Sequence, residues 1–170
     1  MKNYSIKDAG PVRPDFAWMR QRAARIVAFG FGSGLLRPAP GTWGTLLAWL
    51  LWQPLAALLP SPLHQAIVIA FAFAVGVWAC DRAGRDLGVA DHGGMVWDEI
   101  VAFWAVLWVV PDALAAQACG FVLFRLFDIA KPPPIAYFDR RMKHGLGVMW
   151  DDVVAAFYTV LVFAVASRLV

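Results

Sequence analysis

Val96-Trp97-Asp98-Glu99-Ile100-Val101-Ala102-Phe103-Trp104-Ala105-Val106-Leu107-Trp108-Val109-Val110 sets two adjacent carboxylates at the head of an unbroken run of eleven apolar residues. A segment apolar on every side forms a helix that is buried all round or lies in lipid. Further apolar runs occupy approximately residues 46–59, 64–80, 113–127 and 153–170, separated by Pro, Gly and charge. Several fall short of the ~20 residues that cross a ~30 Å hydrocarbon core. Flanking residues must lengthen them, or the bilayer must thin around them. The expected fold is an all-α membrane bundle of about four to five transmembrane or membrane-embedded helices, preceded by an amphipathic N-terminal helix.

Composition points the same way. Of 170 residues, 61% are hydrophobic and 16% charged, where soluble domains average roughly a quarter charged. Mean hydropathy is +0.61. A soluble five-helix bundle is the competing fold, and nine Trp and twelve Phe with few charges among them count against it. No repeat, low-complexity tract or Gly/Ser linker divides the chain. It is read as a basic, partly flexible arm over residues 1–27 and one membrane-embedded domain over 28–170. Residues 1–16 are polar, broken by Pro11 and Pro14, and lack the apolar core of a signal peptide, so the first residues are expected in the cytoplasm. Cys80 and Cys119 each stand in an apolar segment, as buried thiols do.

Charge is unevenly placed. Lys2, Lys7, Arg13, Arg20, Arg22, Arg25 and Arg37 all precede the first apolar run. Such an arm suits an anionic leaflet. Nucleic acid would attract the same charges, but Trp18, Met19, Ile26, Val27 and Phe29 among them fit an interfacial helix better, so no nucleic-acid partner is expected. The loops at residues 60–63 and 111–113 carry no Lys or Arg, whereas 81–99 and 125–152 carry seven. Basic loops stay cytoplasmic. Threading the helices from a cytoplasmic start brings residues 30–45, 81–99 and 125–152 to one face, and of twelve acids only Asp112 falls on the other.

Asp98-Glu99 opens the third apolar run and Asp151-Asp152 the fifth. Either pair alone reads as helix capping, because acids in a first turn meet free N–H groups and the helix dipole. Two pairs on one face, with Asp128 as a further acid, favour a hard cation such as Mg²⁺, around which mutually repelling carboxylates become stable. Arg125 and Asp128 lie one turn apart and could form a simple salt bridge. Ionisable groups at the end of an apolar helix are costly and mark function by default. Arg supplies a fork for phosphate and Lys131 a point charge, so the strip from Arg125 to Lys131 suits a phosphomonoester.

Residues 30–45, rich in small side chains, can bring backbone N–H groups to an anion; Ser33 and Thr42 are the candidates there, with a tight loop and a Thr42 helix cap as the plain alternative. The segment is not a Walker A loop, since no Gly-Lys-Ser/Thr follows. Asp81 and Arg85 are spaced as an intrahelical pair. Asp86, Asp91 and His92 are further ligand or proton-transfer candidates. Cys119 and Arg125 spell the Cys-x5-Arg spacing of thiol phosphatases, but the residues between are apolar and helical, which does not activate a thiolate.

Gly32-Ser33-Gly34 with Pro40-Gly41-Thr42, Val96-Trp97-Asp98-Glu99, Phe124-Arg125 with Asp128 and Lys131-Pro132, Phe138-Asp139-Arg140, and residues 145–149 with Asp151-Asp152 together resemble the phosphatidylglycerophosphatase A family, over roughly residues 28 to 160. The resemblance implies a multi-pass enzyme of the bacterial inner membrane, its active site facing the cytoplasm. It implies Mg²⁺-dependent hydrolysis of phosphatidylglycerophosphate to phosphatidylglycerol and phosphate, a step of phospholipid biosynthesis. On that basis Asp98, Glu99, Asp128 and Asp152 are the catalytic candidates, joined by Asp151 as metal ligands, and Lys131, Arg125, Ser33 and Thr42 bind substrate. A homo-oligomer is compatible with the sequence, which names no interface for one. The rival function is a membrane cation transporter or channel using the same acids, which would place them mid-membrane.

Overall fold

The ladder of backbone hydrogen bonds outruns the apolar runs, and chiefly toward the charged end. The computed structural model describes residues 13–133 and 144–168, so Lys2, Lys7, Phe138-Asp139-Arg140, Lys143 and Val170 lie outside it. Among the described residues the structure is all helical, without strands: α1 (Phe16–Met19), α2 (Ala23–Ala28), a 3₁₀ turn (Gly30–Leu35), then α3 (Pro40–Leu58), α4 (Pro62–Leu87), α5 (Trp97–Val109), α6 (Leu114–Ala130) and α7 (Gly145–Ala166). All five apolar runs are helices. Hydropathy marks where side chains meet apolar surroundings, whereas a helix stops only where its backbone is interrupted. Pro40 starts α3, left-handed Gly88 ends α4, and left-handed Lys131 ends α6 before Pro132.

The start of α7 differs most from expectation. Val153 opens the apolar run, but the helix begins eight residues earlier, at Gly145. Asp151 and Asp152 therefore stand in its second turn, where backbone N–H groups already have intrahelical partners, and capping does not account for them.

α5 is the central helix, with nine of its thirteen residues buried, and it packs against α3, α4, α6 and α7. Two of its indoles tie it to its neighbours: Trp97 Nε1 donates to the Ala72 carbonyl of α4 and Trp104 Nε1 to the Ala48 carbonyl of α3, both at 2.9 Å. Phe103 meets the rings of Trp49, Phe121 and Phe124. At the far end Asp112 accepts from Gln117, which in turn accepts from Trp49 and Gln53.

α4 and α7 are long and apolar enough to cross a membrane. Ile67, Phe71 and Trp78 on α4 and Phe157, Leu161 and Val165 on α7 point outward, an apolar belt that water does not favour and lipid does. The basic segment is partly folded into the bundle. Arg25 is 7% exposed; its Nε donates to Asp86 of α4 at 2.8 Å and its guanidinium lies 4.1 Å over the Trp18 ring. α2 thus docks on α4, and the division between residues 27 and 28 falls inside α2.

Candidate active site at the charged end of the bundle

Three helices bring their acids to one point. Asp98 and Glu99 occupy the second and third positions of α5, and Asp152 projects from α7. One carboxylate oxygen from each of Asp98, Glu99 and Asp152 lies within 4.8 Å of the others. Asp98 is in side-chain hydrogen-bond contact with Glu99, and Asp152 with Asp128 of α6. Carboxylates this near one another repel, and a proton or a cation between them relieves the repulsion. Asp151 accepts a 2.8 Å bond from Lys131 Nζ, and Asp91 is near enough to repel it.

Arg125 organises the opposite wall. Its Nη1 lies 2.8 Å from Asp128 Oδ2, 3.5 Å from Glu99 Oε1 and 3.4 Å from the Thr45 hydroxyl. Thr45 in turn donates to the Gly41 carbonyl at 2.8 Å. Gly41 is required here for close approach: a Cβ at this position would collide with Glu99 Oε1 and sit 2.9 Å from both Arg125 terminal nitrogens. Two buried atoms stay unpartnered among the described residues, Glu99 Oε2 and Arg125 Nε. Each such atom costs about 1–3 kcal/mol. One is an acceptor and the other a donor, the chemistry that suits a cation and an anion respectively.

The carboxylates of Asp98, Glu99, Asp128, Asp151 and Asp152 face Arg125 and Lys131, an excess of three negative charges among the described residues of the site. The set is all oxygen, the donor chemistry of a hard dication.

The sequence candidates divide on this geometry. Asp98, Glu99, Asp128, Asp151, Asp152, Arg125 and Lys131 come together. Ser33 does not join them through any described bond; its hydroxyl donates to Gly30 O at 2.8 Å and closes the local turn. Thr42 is the third residue of α3 and is not its cap, because left-handed Ala39 takes that place. Asp86 belongs to Arg25 and Arg22, and Asp81 pairs with Arg85 at 2.7 Å. His92 accepts the Gly94 N–H at 3.0 Å; burial, then the Arg37 charge, holds its imidazole below the usual range. Cys119 is exposed on α6, which stays helical through Arg125, so no thiolate loop forms. Gly41 and Thr45 are site residues that the sequence does not mark as candidates. Gly41 carries a signal in the Pro40-Gly41-Thr42 motif, and both belong to a small-residue stripe of Gly41, Gly44, Thr45 and Ala48 on one face of α3.

Residues 26–167 match the family model for phosphatidylglycerophosphatase A. The chain belongs to the phosphatidylglycerophosphatase A family. The matched span contains every residue of the charged cluster, and the family is one of phosphoric monoester hydrolases. The chain is 47% identical to phosphatidylglycerophosphatase A of Haemophilus influenzae over 81% of its own length and 84% of the relative's. It is 43% identical to phosphatidylglycerophosphatase A of Escherichia coli over 76% and 75%. A Bacteroides thetaiotaomicron protein, provisionally named phosphatidylinositol-3-phosphatase, is 40% identical over 83% and 91%. No solved structure matches the chain.

Proposed function

We propose that this chain hydrolyses the terminal phosphomonoester of phosphatidylglycerophosphate to phosphatidylglycerol and inorganic phosphate, with Mg²⁺ held by Asp98, Glu99 and Asp152 and supported by Asp128 and Asp151. The observation that carries this reading is the pair of unpartnered buried atoms, Glu99 Oε2 beside the acid cluster and Arg125 Nε beside it on the cationic wall. Family membership supplies the lipid. The bound ion would neutralise phosphoryl oxygens and lower the pKa of the attacking water.

The chain's own groups do the rest. Arg125 and Lys131 present donors to the phosphate oxygens, and their existing partners Asp128 and Asp151 fix their directions. Thr42 adds a hydroxyl at the open first turn of α3, where a helix N-terminus favours an anion; Ser33 would join by leaving Gly30. One of the carboxylates Asp98, Glu99, Asp128 and Asp152 takes the water's proton, unless an Asp attacks phosphorus itself. Burial of Asp98 and Asp152 keeps bulk water from competing for these contacts.

The Lys and Arg asymmetry of the loops supports a multi-pass chain in the bacterial inner membrane with this end in the cytoplasm. A cation conduit would spread its acids through the depth of the bundle. Here they gather at one end, beside Arg125 and Lys131, and Asp112 at the other is tied to Gln117.

The test is phosphate release from phosphatidylglycerophosphate by the detergent-purified protein with Mg²⁺, after EDTA, and after Mg²⁺ is restored, for the native chain and for Asp98→Asn and Asp152→Asn. Loss on chelation, recovery on restoration and loss in both variants are expected. Activity that survives chelation and both substitutions overturns the metal-site reading.

A further inference from the structure

The helix faces that carry the acids continue directly into an apolar groove. On α5, Asp98 is followed at four and seven positions by Ala102 and Ala105; on α7, Asp152 is followed at four and eight by Ala156 and Val160. Such spacings share one helix face. With α4 these residues enclose a cavity of about 520 Å³. Ala102 and Ala156 are among its buried lining residues, and Phe73, Trp108 and Phe157 are among its large, more exposed ones. No charged or amide side chain lines it.

The head of the groove adjoins the acids, since Trp150 precedes Asp151 and Val101 lies one turn beyond Asp98. From Val101 to Val109 the lining descends about 12 Å, at 1.5 Å per residue. Trp108 and Phe157 are exposed at its edge, so the groove opens outward, on the apolar belt of α4 and α7. A peptide or a headgroup would leave its polar atoms unmatched there; a hydrocarbon chain has none.

The geometry points to this groove as the seat of one acyl chain of the phospholipid substrate, entered sideways from the bilayer, with the phosphate held at the acids above. This rests on the phosphatase reading and adds a positioning element to it. A chain moving from lipid into the groove exchanges one apolar surrounding for another, so the groove contributes little affinity. It fixes the depth and direction of the headgroup, and misplacing a bound substrate by about 1 Å costs on the order of a hundredfold in rate.

The experiment compares phosphatidylglycerophosphate with its deacylated headgroup as substrates for the full chain and for Ala105→Trp, which fills the groove from a half-buried position. The ratio of kcat/KM for acylated over deacylated substrate is expected to fall at least tenfold in the variant. An unchanged ratio overturns the groove. Because the variant could misfold, the native chain is also photolysed with phosphatidylglycerophosphate carrying a diazirine at one chain end. Crosslinks concentrated at Phe73, Trp108 and Phe157 support the groove, and crosslinks spread evenly over the outward faces of α3 and α6 overturn it. A native chain that cleaves neither substrate sinks the phosphatase reading, and the crosslinks still decide the groove.

Discussion

Arg125 Nη1 on α6 lies 3.5 Å from Glu99 Oε1 on α5, and the two side chains meet over Gly41 of α3, which has no side chain to part them. Three elements far apart in sequence thus converge on one ion pair whose outer atoms remain unpartnered. The pair leaves one acceptor atom of Glu99 and one donor atom of Arg125 without a partner, and under the proposed function these would face the cation and the phosphate respectively.

Gly41→Ala should separate folding from activity. The added Cβ meets the far ends of two flexible side chains, not backbone, so they can move aside and the bundle survives. Their displacement breaks the arrangement the phosphate needs. Activity is expected to fall about a hundredfold, with the melting temperature within a few degrees of the native value. Full activity in a folded Gly41→Ala protein would show that the Arg125 and Glu99 positions do not matter.

Asp86→Asn should do the reverse. Arg25 is buried and depends on Asp86 for its shortest charged contact, 2.8 Å. Removing that charge leaves a buried guanidinium undercompensated, at a cost of about 1–3 kcal/mol. The melting temperature falls, and what remains folded still binds Mn²⁺, which paramagnetic resonance would report. Loss of Mn²⁺ binding at full stability would place Asp86 in the metal site instead.

These two sites differ in how far the sequence reveals them. Asp98, Glu99 and Asp152 are legible because acids bordering apolar runs are expensive and need a reason. The five long helices are legible for the same reason, as runs of apolar residues. Helix starts are not, because hydropathy cannot see a helix that continues into polar residues; hence Asp151 and Asp152, which look like caps, stand in the second turn of α7. Gly41 reads as part of a family motif and Thr45 as a small residue before an apolar helix, and neither reading points to Arg125. That their turn of α3 abuts Arg125, eighty residues on from Thr45, is a tertiary fact. The contact between Arg25 and Asp86, sixty-one residues apart, is equally invisible, and a basic arm pictured at the membrane surface proves to have one arginine turned inward.

His92 predicts a pH dependence of stability. Burial, then Arg37, lowers its folded-state pKa, while Asp91 acts weakly in the other direction. The unfolded chain, titrating near 6.5, therefore binds the proton more readily. The stability that neutral His92 contributes is complete above about pH 6.5 and is lost as pH falls toward the folded pKa. His92→Gln should flatten the fall in melting temperature as pH drops below about 6.5. An identical slope in both proteins would refute the assignment.

Arg125 allows the cation and anion halves of the site to be tested apart. Arg125→Lys keeps a charge beside Asp128 but loses the fork and Nε, the atom left unpartnered. Arg125→Gln removes the charge as well, and so withdraws a cation that competes with a metal ion for Glu99. Mn²⁺ should therefore bind Arg125→Gln at least as tightly as the native chain. Inorganic phosphate, the product, should bind the native chain only when Mn²⁺ is present, and should bind both variants more weakly, with kcat/KM lowered about 10²–10³-fold as for other lost charge-stabilising donors. Weakened Mn²⁺ binding in Arg125→Gln would mean that the arginine holds the acid cluster together and does not hold the phosphate. Phosphate binding that ignores Mn²⁺ would mean that the two halves are not one site.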